Sequence, residues 1–165
     1  ERITPEGAAL KVSGSERNEH IFWEHTQSET DGRTGIAMYI AKPELFWKDR
    51  RKAPAMHYKI NCSGGTYLLW LLIKYDDEPA ACCTIAIDDK EILQEEMFGN
   101  GHLFNYGTQQ NWVWMSITEM TLTKGEHLFS IYARASQLRI DRIYITKTDE
   151  LPPVDEFWKE SLRSI

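Results

Sequence analysis

The chain has 165 residues, 42% of them hydrophobic and 12% aromatic, enough for one domain that buries roughly 70% of its unfolded surface without disulfide or metal staples. Its formal net charge of −6 argues against a long-range field that would gather nucleic acid or an acidic polymer, and it suits neutral ligands better. No apolar run approaches the roughly 18 residues of a membrane-spanning helix, so no membrane partner is expected; no signal peptide opens the chain, and its start at Glu1 without a methionine fits a mature or excised piece.

Apolar residues fall in short runs bounded by turn chemistry, which is the pattern of an all-β sandwich or barrel. In chain order the expected strands are Ile3 to Val12, Gly35 to Ile40, Ala55 to Cys62, Thr66 to Tyr75, Cys82 to Asp88, Leu93 to Phe98, Trp112 to Leu122, His127 to Ala133 and Leu138 to Thr146. About nine strands suit an antiparallel β-sandwich of two packed sheets. Ser63-Gly64-Gly65, Asp76-Asp77-Glu78-Pro79, Asp88-Asp89-Lys90, Gly99-Asn100-Gly101 and Lys124-Gly125 carry the residue types that turns demand. Two stretches break the rhythm: the polar 13–34 segment, which holds Trp23-Glu24-His25, and the 42–54 segment, which holds Phe46-Trp47-Lys48-Asp49-Arg50-Arg51. Long loops on a β scaffold are where binding residues gather. Pro152-Pro153 ends the sheet pattern and separates a 1–150 sandwich from a 151–165 extension, read as a short packed helix or a linker.

Cys62, Cys82 and Cys83 match neither a disulfide framework nor a spaced metal motif and are expected as three thiols. Of the five histidines, only His20 and His25, with Glu24 between them, lie close together, and they lack the helical H-E-x-x-H spacing of a zinc hydrolase. With no serine nucleophile elbow and no phosphate-binding glycine loop, a small lyase or glycosidase is the least supported function.

Three motif groups carry a resemblance through their order. Ala55-Met56-His57-Tyr58-Lys59-Ile60 precedes Gly64-Gly65-Thr66-Tyr67-Leu68-Leu69-Trp70-Leu71; Trp112-Val113-Trp114 precedes Lys124-Gly125-Glu126-His127-Leu128; and Ile140-Asp141-Arg142-Ile143 closes the pattern. Together they resemble the paired strands, the tryptophan strand with its G-x-H-x-L hairpin, and the terminal I-D-x-I strand of jelly-roll, galactose-binding-like carbohydrate-binding modules. These are the family 6 and 35 type appended to polysaccharide-degrading enzymes. The resemblance implies a non-catalytic module that binds a polysaccharide or oligosaccharide, sits beside its parent enzyme's domains in the same chain, and works outside a bacterial cell or on its surface. The alternative from another class is an accessory domain that packs on its parent enzyme and binds no sugar.

The resemblance also implies site residues. In these modules a structural calcium often joins an I-E-A-E first strand to the terminal aspartate; here the first strand reads Ile3-Thr4-Pro5-Glu6, leaving Glu6 and Asp141 as ligands. Calcium takes six to eight oxygens, and the competing reading pairs Asp141 with Arg142, Arg139 or a backbone amide, since a buried carboxylate needs a partner. For sugar, the platform implied is Trp112, flanked by Asn111, with Arg139 two positions before the aspartate as polar partner. Tyr106, Trp47, Trp23 and His25 are the further loop candidates. A guanidinium at 139, where the family commonly has asparagine, offers a rigid fork for a carboxylated sugar or a structural ion pair.

Overall fold

The computed structural model describes residues 2–3, 11–13, 21, 23–25, 37–40, 45–74, 82–94, 103–104, 112–136, 138–147 and 151–152. The strands are β1 (Arg2–Ile3), β2 (Lys11–Ser13), β3 (Glu24–His25), β4 (Met38–Tyr39), β5 (Ala55–Lys74), β6 (Cys83–Ile87), β7 (Lys90–Gln94), β8 (Leu103–Phe104), β9 (Val113–Ala133) and β10 (Arg139–Thr146), with one 3-10 turn at Arg50–Lys52. All pairings are antiparallel, and the main path runs β3-β4-β10-β5-β9-β6-β7. The all-β, jelly-roll expectation holds.

Two expected strand pairs are each one continuous strand. Ala55 to Cys62 and Thr66 to Tyr75 merge into β5, and Trp112 to Leu122 and His127 to Ala133 merge into β9, with Cys62 opposite Gly125 and Gly65 opposite Leu122. The glycines read as turns are instead a corner through which the ladder passes unbroken. Gly64, Gly65 and Gly125 have φ of +86°, +127° and +133°, a region closed to most side chains. A Cβ on Gly64 would also sit 3.1 Å from the Lys124 backbone nitrogen.

The corner explains the core. Met56, Tyr58, Ile60 and Cys62 point inward from the first half of β5, whereas Tyr67, Leu69, Leu71 and Ile73 do so from the second, and all lie in one cluster. Strict alternation would put the two sets on opposite faces. The flip in phase at the glycines folds the sheet over onto itself, so its two halves enclose a common core with Phe129, Ile131, Ile140, Ile143 and Ile145. A smaller cluster, of Ala37, Trp70, Leu72, Trp112, Trp114 and Tyr144, occupies the opposite face of the second half, where Trp70 pairs with Tyr144 and Leu72 with Trp114. Cys62, Cys82 and Cys83 are buried and free, and burial pushes the Cys83 thiol far up.

Asp141 enters the last strand through a bulge. Ile140 pairs with Ile73 and Arg142 with Leu72, which leaves Asp141 as the extra residue and lets Ile140 and Ile143, three apart, share the core face.

An ion pair braces the corner. The Asp88-Asp89 turn between β6 and β7 has φ of 51° and 63°; Asp88 accepts from the Leu128 backbone N–H at 2.8 Å and contacts His127 Nδ1 at 2.7 Å. Nε2 of the same ring lies 2.9 Å from the Thr123 carbonyl. Only the doubly protonated imidazole donates from both nitrogens. The Asp88 and Thr123 acceptors hold the His127 pKa above its ordinary 6.5, and the Leu128 amide, then His127, hold Asp88 below its ordinary 3.8. The histidine contribution is therefore complete below pH 6.5 and lost as pH rises through the raised value; the aspartate contribution is complete above 3.8 and lost as pH falls through the lowered one. The melting temperature is expected to decline as pH rises above 6.5 through the raised His127 value, and His127→Gln to remove that decline; equal slopes in both proteins would refute the brace.

Candidate carbohydrate-binding end

Since the β5–β9 ribbon doubles back at its glycine corner, both of its ends lie at the opposite end of the fold. There Ala133 N donates to the Pro54 carbonyl at 2.9 Å, Ile73 pairs with Val113, and Lys74 pairs with Arg139 at the start of β10. The 45–47 segment is stitched to the 134–136 connection: Phe46 bridges Ala135, Trp47 N donates to the Arg134 carbonyl at 2.8 Å, and Ser136 N donates to the Leu45 carbonyl at 3.1 Å. Leu45 N in turn donates to Ser136 Oγ at 3.0 Å. This loop is thus fixed by backbone bonds to the sheet that carries it.

The expected site residues take different places. Trp112 is 1% exposed within the smaller cluster, and Trp23, also 1% exposed, packs in the main core and donates from Nε1 to the Pro54 carbonyl at 3.2 Å. Neither ring presents a stacking face in this arrangement. Trp47 is half-buried and packs against the main core. Arg139 is half-buried and pairs in register with Lys74, which sets two cationic residues next to each other on adjacent strands at this end. The His25 backbone pairs with Met38; Asn111, Tyr106 and Glu6 lie outside the described residues, as do residues 153–165 of the expected extension.

Two residues at this end were missed in the sequence. Phe46 is exposed, and Arg134, 1% exposed, places its guanidinium 5.4 Å from the Phe46 ring centroid. The available signal was the Phe46-Trp47 dipeptide itself: neighbours in extended backbone point opposite ways, so one ring of the two had to face out.

Arg50 of the 3-10 turn reaches the β6–β7 turn, with Nη1 2.9 Å from Asp89 Oδ1 and Nη2 2.6 Å from the Asp89 carbonyl, and lies over the Tyr132 ring at 5.1 Å. The Asp89 bond raises the Arg50 pKa. Beside it His57 Nδ1 is 2.8 Å from Ser130 Oγ, and burial lowers the His57 pKa. These contacts anchor the far side of the 45–54 loop.

Of the two expected calcium ligands, Asp141 lies among the described residues and Glu6 does not. Asp141 is fully buried, and its Oδ2 is 3.5 Å from Arg142 Nε; among the described residues no group of three or more His, Cys, Asp or Glu side chains gathers. A guanidinium beside the carboxylate fits the paired-aspartate reading, and the calcium expectation still needs Glu6 together with Asp141.

The fold has solved counterparts along nearly its whole length. The C-terminal family 6 carbohydrate-binding module of a laminarinase from Zobellia galactanivorans is 17% identical with a TM-score of 0.59, covering 89% of this chain and 98% of that one. A family 35 module from Paenibacillus barcinonensis is 13% identical with a TM-score of 0.56, covering 90% and 99%. This chain has the carbohydrate-binding-module jelly roll. An exo-β-1,3-galactanase from Phanerochaete chrysosporium, solved with galactose, carries the same fold in part, at 13% identity and a TM-score of 0.54, over 88% of this chain and 29% of that one. No protein-family model and no curated protein matches the sequence. At these identities the likeness fixes the jelly roll and leaves function to the site.

Proposed function

We propose that the chain is a non-catalytic carbohydrate-binding module that holds a secreted polysaccharide-active enzyme against its glycan. The observation that carries this reading is the correspondence, over about nine-tenths of the chain, with a family 6 and a family 35 module, joined to a loop end where aromatic and cationic side chains meet. An aromatic ring covers the apolar C–H face of a pyranose, and planar polar groups bond its hydroxyls. Tethering then turns the enzyme's second encounter with substrate into an intramolecular one. The parent enzyme would be carried in the same chain, and the setting would be extracellular or cell-surface.

A glycan array with the isolated chain tests the proposal: retention on at least one polysaccharide is expected, and none across neutral and uronic glycans would favour an accessory domain that packs on its parent. Within the site, Arg139 with Lys74 beside it supports carboxylated sugars. Arg139→Ala is expected to weaken uronic acid binding roughly tenfold and neutral sugar binding less, about 1.4 kcal/mol for the charged case. Affinity electrophoresis reads both, and equal losses for the two classes would reduce Arg139 to a structural role.

A further inference from the structure

Stacking on a sugar needs a ring with one open face and a fixed plane. Among the residues whose side-chain burial is described, Phe46 is the one exposed Phe, Tyr or Trp ring, at 48%. Its backbone is bridged to Ala135 and flanked by the Trp47 and Leu45 bonds to Arg134 and Ser136, so the loop cannot swing freely. Its ring rests on the Arg134 guanidinium at 5.4 Å, a cation that is itself 1% exposed and therefore held by the fold rather than by solvent. The adjacent Trp47 ring packs against the core, which leaves Phe46 as the outward member of the pair.

We propose that Phe46 is the sugar-stacking platform of the loop end and that Arg134 is its positioning residue, an inference that rests on the carbohydrate-binding reading above. A ring already fixed by a cation on its inner face loses little freedom when a pyranose covers its outer face. The same cation sets the ligand class. A guanidinium behind the ring, with Lys74 and Arg139 at the same end, repels a protonated amino sugar and accepts neutral or carboxylated pyranosides.

Affinity electrophoresis of the wild-type protein, Phe46→Ala, Phe46→Trp, Arg134→Lys and Arg134→Met against neutral, uronic and chitosan gels tests this. Phe46→Ala is expected to lose about tenfold or more in affinity, the worth of a stacking ring, with an unchanged melting curve because the side chain is at the surface; Phe46→Trp is expected to retain binding. Arg134→Met is expected to lose several-fold and Arg134→Lys to restore most of it, a rescue that a purely space-filling role would not give. Should Arg134→Met fail to fold, Phe46→Ala and Arg134→Lys still decide. Wild-type retention on no gel would overturn the carbohydrate-binding reading and this inference with it. Wild-type retention matched by Phe46→Ala would overturn the platform alone, and tighter retention on chitosan than on neutral gels would overturn the ligand class.

Discussion

Trp112→Ala is expected to destabilise the protein by about 3–5 kcal/mol, the usual cost of emptying a large buried aromatic site. The ring is 1% exposed and packs with Trp70, Leu72, Trp114 and Tyr144, so its loss leaves a cavity lined by groups that cannot all collapse onto it. Against a total stability of about 5–15 kcal/mol for a domain, that single change brings the protein near its unfolding threshold. Urea denaturation followed by circular dichroism measures it. The chemistry sharpens the expectation: Trp112 Nε1 is buried with no hydrogen-bond partner among the described residues, so Trp112→Phe gives up volume but no hydrogen bond and is expected to cost well under half as much. An unchanged midpoint for Trp112→Ala would mean that the ring is free to face ligand after all.

That tryptophan also shows where sequence reasoning reached and where it stopped. The alternation of Tyr67, Leu69, Leu71 and Ile73 was legible as a half-buried strand because period-2 patterns need only one sheet face to be dry, and those four are at most 1% exposed. The second dry face was not legible. Trp70, Trp114 and Tyr144 alternate with core residues, the same signal that an exposed aromatic row would give, and what buries them on their far side is tertiary. The merger of strands at Gly64-Gly65 and Gly125 was hidden for a related reason: glycine with positive φ serves a tight reversal and a sheet corner alike. At the loop end, Arg139 was singled out by counting back from Asp141 along the family resemblance, and the structure places it opposite Lys74 without assigning it a ligand. Phe46 was passed over because the larger indole of Trp47 drew the assignment, although only the backbone bridge to Ala135 decides which of the two turns outward.

Breaking the Asp141–Arg142 pair from either side is expected to cost about 3–5 kcal/mol, because removal of one partner leaves the other charge in the interior without their mutual attraction. Asp141 is fully buried and Arg142 is 3% exposed, with Oδ2 and Nε 3.5 Å apart. The bulge that admits Asp141 also turns Arg142 to the face where it lies across from Leu72, so the two charges are adjacent by construction of the strand. Asp141→Leu and Arg142→Met, measured singly and together by urea denaturation, form a cycle in which the double variant is expected to cost well below the sum of the singles, by about 1–3 kcal/mol, since it removes both buried charges at once. Metal makes the opposite expectation. If Glu6 and Asp141 held calcium, EDTA would lower the melting temperature, added calcium would restore it by mass action, and Arg142→Met would show no coupling to Asp141→Leu. The pair therefore stands on two results together: a large negative coupling and a melting curve indifferent to chelator. A chelator-sensitive curve with additive single costs would assign Asp141 to the metal and leave Arg142 held by its other contacts.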